Sequence, residues 1–202
     1  MSNLIKKLSQ GLVFFIWMIS STYSAFSQIT LQPADVEIKI KGTSSLHDWE
    51  MAARSIKGEQ EVEIGDVQVT FKAITVLVNV NNITSNNKIM DNKAHKALKG
   101  DNYPVISFTR NVPVVFNLKN NSFRGTVKGD LCIGGIKKPI EIPISGTYSG
   151  NAMVVKGKLE QLNMKDFGIE PPTAMMGTLK TGEMVSIDFK VEFKAVAKTA
   201  LK

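Results

Sequence analysis

Cysteine is almost missing from this chain. Cys132 is the single one among 202 residues, which excludes an intramolecular disulfide and any cysteine-rich metal site, so stability has to come from packing. Other reactive groups are scarce too. The histidines are His47 and His95 alone, without ligand spacing between them, and no Gly-x-Ser-x-Gly or His-Glu-x-x-His motif occurs. Cys132 sits between Leu131 and Ile133 on the opposite face of their strand, with no histidine nearby to make it a nucleophile. No catalytic residue and no metal site emerge from this inventory. Charged residues make up only 21% and hydrophobic ones 43%, which excludes disorder. No apolar run approaches the roughly 20 residues of a spanning helix.

The unbroken run Leu12 to Ile19 is eight residues long, follows Lys6 and Lys7, and leads into a small, polar stretch ending Ala25-Phe26-Ser27. This is the layout of a secretory signal. Residues 1–27 are therefore expected to be a leader cleaved before Gln28, and residues 28–202 a single exported domain, periplasmic or secreted. No cysteine follows the run to carry a lipid. Removing the leader's two lysines lowers the formal net charge from +7 to +5. The remaining lysines are scattered and many alternate with apolar residues, which describes a solvated outer face; no nucleic-acid footprint is expected.

Period-two alternation dominates from residue 36 onward. Val36, Ile38 and Ile40 alternate with Glu37, Lys39 and Lys41. Val67, Val69 and Phe71 lead into Ile74, Val76, Val78 and Val80; Ile106 and Phe108 follow Pro104. Phe123, Val127, Leu131 and Ile133 form another run, then Ile140, Ile142 and Ile144, then Met153, Val155 and Leu159. Ile187, Phe189, Val191 and Phe193 close the series. Asn120-Asn121 and Gly150-Asn151 read as hairpin turns. About eight or nine antiparallel strands result, an all-β fold whose apolar faces are buried in either a sandwich or a closed barrel. Lys88 to Lys99 breaks the alternation with near-helical spacing and predicts a short helix across one barrel end, stopped by Gly100 and with His95 on its polar side. Asp166 to Gly182, with Pro171-Pro172, reads as a long loop.

An eight-stranded barrel either fills itself with side chains or holds one small ligand. The inward faces carry mostly Val and Ile, with Gly42, Gly125, Gly129 and Gly157 among them. Those glycines either mark bulges and corners or leave room for a cavity.

Four stretches, in order, resemble one family. Gly42-Thr43-Ser44-Ser45-Leu46-His47-Asp48-Trp49-Glu50 is similar to the opening motif of the YceI-like family. Met90-Asp91 through Ala97-Leu98-Lys99, followed by Tyr103-Pro104-Val105-Ile106-Ser107-Phe108, resembles its helix and following strand. Gly129 to Pro139 resembles its hairpin of pattern G-x-L-x-I-x-G-x-x-K-P, and Asp166-Phe167-Gly168-Ile169 its late element. Glu170 to Met176 departs from the family's pattern.

The resemblance implies a lipocalin-like, eight-stranded antiparallel barrel, typically periplasmic, that binds a polyisoprenoid, isoprenoid quinone or similar long-chain amphiphile and has no established enzymatic activity. It implies no cofactor beyond such a bound lipid. Partners would be the lipid and, transiently, a membrane surface; a homodimer stays open. A ligand tunnel is expected to be lined by Ile74, Val76, Val78, Ile106, Phe108, Leu131, Phe189 and Val191. His47, Trp49 and Asp166 are candidates for the rim, each with a structural alternative: Trp49 as a plug, His47 as a hydrogen-bonded residue, Asp166 as a turn cap. Met175 and Met176 are expected on a lid that closes over the bound chain.

Overall fold

Alternation becomes strand along nearly all of the described chain, which is residues 29–195 of a computed structural model. The expected leader and its cleavage site before Gln28 lie outside the described residues. The strands are β1 (Ile29–Ser44), β2 (Trp49–Ala53), β3 (Lys57–Ile64), β4 (Gln68–Asn79), β5 (Ile83–Thr84), β6 (Val105–Arg110), β7 (Val114–Asn117), β8 (Ser122–Ile133), β9 (Ile136–Ser149), β10 (Ala152–Asn163), β11 (Thr173–Ala174) and β12 (Leu179–Ala195), with one α-helix, α1 (Lys88–Ala97), between β5 and β6.

Several of these are pieces of one stave. β1 pairs with β2 through Ile38–Gly42 and with β3 through Ile29–Leu31, the two being interrupted where Ser55 takes a φ of 53°. β4 pairs with β6 at its upper end and with β7 at its lower end; Pro113, which has no N–H to give to a ladder, falls in the break. Each stave lies beside its sequence neighbour, and β12 returns to pair with β1 from Leu31↔Ala195 to Ser44↔Thr181. That last pairing closes an eight-stranded antiparallel up-and-down barrel and disposes of the sandwich alternative.

Turn chemistry follows the residues. Asn120 and Asn121 both adopt positive φ (50° and 58°) between β7 and β8, as a type I′ turn requires, and Gly150 (62°) supplies the first position of the β9–β10 turn. At the lower end the barrel is filled. Phe71 packs edge-on against Phe116, Phe123 and Phe193 at centroid distances of 6.0, 6.0 and 6.1 Å, and Phe116 stacks on Phe123. Leu31, Val62, Val69 and Met153 are fully buried around them.

The upper end holds α1, the β1–β2 connection and the segment between β10 and β12. Asn87 caps α1 by accepting from the backbone N–H groups of Ile89 and Met90. The left-handed residue at the helix end is Lys99, φ 56°, rather than Gly100. Gly100 is needed instead for close approach, since a β-carbon there would meet Val80 Cγ1 at 2.9 Å. His95 is not a plain surface residue: it is half-buried and its Nε2 donates to the Ile83 carbonyl at 2.7 Å.

The expected long loop from Asp166 to Gly182 is also corrected. A 3-10 turn spans Met164–Phe167, Gly168 takes the left-handed conformation behind it, and Leu179–Gly182 already belong to β12. Phe167 and Ile169 are buried, at 1% and 3% exposure, so apolar side chains pin this segment to the barrel top.

Candidate binding cavity

Between the phenylalanine floor and the upper end the barrel encloses a cavity of about 530 Å³, within the range of about 300–1,000 Å³ typical of small-molecule sites. Its wall is the inner face of the staves. Ile74, Val76 and Val78 of β4, Ile106 and Phe108 of β6, Leu131 of β8, and Phe189 and Val191 of β12 all line it, with Phe71 and Phe193 below. Register explains the grouping: Val76 lies opposite Phe108 and Val78 opposite Ile106, and residues directly opposite one another share a face.

The glycines, which the sequence leaves open between bulges or corners and room for a cavity, are covered by aromatic rings. A β-carbon at Gly157 would stand 2.3 Å from Phe189 Cζ, and one at Gly129 2.4 Å from Phe108 Cζ. Gly125 is covered in the same way by Phe116, and Gly42 by Trp49. Each glycine is thus a seat for an aromatic ring, which occupies the space a β-carbon would need. Free volume arises because rings of this size rest on the sheet instead of standing in the lumen. Trp49 is accordingly no plug: it lies over Gly42 and its Nε1 donates to the Thr43 carbonyl at 3.0 Å.

Polar side chains gather at the mouth. Ser44 at the end of β1, His47 from the β1–β2 connection, Asn87 capping α1, Lys93 within it, and Lys180 and Thr181 from β12 line it, with Leu46 and Ile89 beside them. Leu46 and Ile89 remain 66% and 71% exposed. His47 is exposed, and its Nδ1 donates to the Asp48 carbonyl at 2.7 Å. Lys93 Nζ donates to the Thr173 carbonyl at 2.8 Å, tying the helix to the β10–β12 segment. Deeper in the wall, Gln60 donates through Nε2 to the Thr75 carbonyl at 3.1 Å.

Two expected rim or lid residues are elsewhere. Asp166 does not line the cavity; its carboxylate pairs with Lys138 at 3.3 Å on the outside. Met176 is fully exposed at a φ of 56° and does not line the cavity. The side chain of Met175 lies outside the described ones. Conversely, alternation missed Gln60, Ser44, Asn87, Lys93 and Lys180, which sit at a bulge, at strand ends or on the helix. For Lys93 a signal existed: it shares a helical face with Ile89, Met90 and Ala97, three or four residues away.

Among the described residues, the ionisable groups with displaced titration lie outside the cavity. The hydrogen bond from Lys41, 2.8 Å long, holds the Asp188 carboxyl below its ordinary range and raises Lys41 in turn. Lys190 lowers Glu192 by the same kind of bond. Among the described residues no group of three or more His, Cys, Asp or Glu is placed to hold a metal.

The model of the YceI-like domain matches residues 22–197. Among solved structures, a polyisoprenoid binding domain from Saccharophagus degradans superposes with a TM-score of 0.59 at 11% identity, over 85% of this chain and 99% of that one. BcnA of Burkholderia cenocepacia does so with a TM-score of 0.56 at 13% identity, over 78% and 95%. A YCEI protein of Campylobacter jejuni gives 0.51 at 15% identity, over 73% and 85%. At such identities the likeness is one of fold. No functionally curated protein matches the chain.

Proposed function

The chain belongs to the YceI-like domain family, and from that premise we propose that it is an exported carrier or sequestering protein that holds a long apolar chain, such as a polyisoprenoid or isoprenoid quinone, inside its barrel. The observation that carries this reading is the apolar cavity of about 530 Å³ with a polar mouth. A structural barrel would have that space filled with side chains. An enzyme acting on the bound lipid would need an acid and a base inside, and the ionisable residues of the described lining, His47, Lys93 and Lys180, stand at the mouth instead. The polyisoprenoid-binding neighbour supports the class of ligand.

Binding works by burial. Each methylene removed from water contributes ~0.8 kcal/mol, so roughly ten of them supply the gross free energy of a micromolar complex. Ordering costs then demand a longer chain. Apolar walls discriminate length and branching weakly, which leaves selection to the mouth. Loading would occur at a membrane surface, where exposed Leu46 and Ile89 meet lipid first.

Trp49 provides the test. It is the only tryptophan once residues 1–27 are removed, because Trp17 lies within them, and it lines the cavity. Titrating delipidated protein with a polyprenol should shift Trp49 emission saturably, and Phe108→Arg, which places a charge in the wall, should abolish the response in a folded protein. Absence of a saturable shift in the unmodified protein, or its persistence in Phe108→Arg, would count against the reading.

A further inference from the structure

The mouth has a charge of one sign. Among the described residues, the ionisable ones lining the cavity are His47, Lys93 and Lys180, with no Asp or Glu. Several carboxylates of the surrounding elements are engaged elsewhere, and Glu170, exposed on the segment before β12, does not line the cavity. Glu183 pairs with Lys165, Asp166 with Lys138 and Glu50 with Lys39, while Asp91 accepts from the Ser85 backbone and hydroxyl at 2.7 Å. Asp48 is exposed and does not line the cavity. Lys41, Lys72, Lys128, Lys158 and Lys190 on the barrel wall all sit in ion pairs, but among the described residues neither Lys93 nor Lys180 has a carboxylate within ion-pair distance. Lys93 uses one of its three N–H donors on the Thr173 carbonyl, and two remain.

An apolar chain in the lumen projects its head group into this ring, where an anion would gain two charge-assisted contacts. We propose that the mouth selects an anionic head group, a carboxylate or a phosphate monoester, with Lys93 and Lys180 as its cationic contacts. The proposal rests on the carrier reading above. It also gives the bond between Lys93 and Thr173 a second role, since a head group taken up by the ammonium bridges α1, β12 and the segment that precedes it.

The test uses ligands of one chain length: palmitate, hexadecyl phosphate and hexadecanol, titrated into delipidated protein at low salt. At least one of the anions should bind about ten-fold more tightly than the alcohol, a difference of about 1.4 kcal/mol, and whichever does so identifies the source of the charge. That ratio should fall toward one in the Lys93→Gln, Lys180→Gln double variant, survive in Lys93→Arg, and shrink with added salt. Should Lys93→Gln fail to fold, Lys180→Gln alone and the salt series carry the same expectation. Equal binding of all three ligands overturns the proposal while leaving the carrier reading intact, as does a preference that survives loss of both lysines. Binding of none overturns both.

Discussion

At the scale of single residues, the cavity depends on pairs of glycine and aromatic ring. Gly157 lies directly opposite Phe189 in the ladder between β10 and β12, and the ring occupies the space a β-carbon would need. Gly157→Ala therefore forces Phe189 off the wall and into the lumen. The expected outcome is a loss of about 1–3 kcal/mol in stability from overpacking, read from the denaturant midpoint, together with weaker uptake of a long-chain alcohol. The wall itself was legible in the sequence, because Val, Ile and Phe at every second position can face only one way in a pleated strand. The seating of rings on glycines was not, since it depends on register between strands far apart in the chain. Met176 shows a second limit: composition marks an adaptable apolar side chain but not where it points, and this one is fully exposed.

At the scale of elements, the wall has a seam. β8 pairs with β6 only through Asp130, Leu131 and Cys132, and below that point β7 is laddered to β4 alone. Arg110 stands opposite Ile74, at an inward register position, and spans the gap by donating to the carbonyls of Lys128 at 2.7 Å and Pro113 at 3.2 Å. Its Nε is buried without a partner, which offsets part of the gain. Arg110→Met should cost about 0.5–1.5 kcal/mol, the net worth of hydrogen bonds whose exposed carbonyls water can take over, and should raise amide exchange selectively in β7 and the lower half of β8. Uniform exchange along the barrel would contradict the role given to Arg110. The strands, the hairpin turns and the short helix were readable from alternation and spacing, whereas closure into a barrel rather than a sandwich was implied only by the family resemblance, because alternation suits both. The pinned segment between β10 and β12 was not, because Phe167 and Ile169 bury themselves singly, without a period to reveal them.

At the scale of the whole molecule, an outer wall laced with ion pairs surrounds an apolar interior, and the two respond to different variables. Exposed pairs of this kind are worth about 0–1 kcal/mol each. Asp188, whose carboxyl is held below its ordinary range by the hydrogen bond from Lys41, contributes stability that is fully present above that ordinary range and is lost as pH falls through the lowered value. The melting temperature should thus decline modestly below about pH 4, where free aspartate protonates, and Asp188→Asn should flatten that limb while leaving the neutral plateau nearly as high. An acid decline that Asp188→Asn leaves unchanged would contradict the assignment. The interior is indifferent to this range and answers to its contents. The measurement that bears most directly on the carrier reading is therefore organic extraction and mass spectrometry of the protein purified from its own cells, set against a folded Val76→Trp variant whose indole fills the middle of the lumen. The protein should yield a long-chain amphiphile at close to one per chain and the variant none; an empty protein, or equal yields from both, would contradict it.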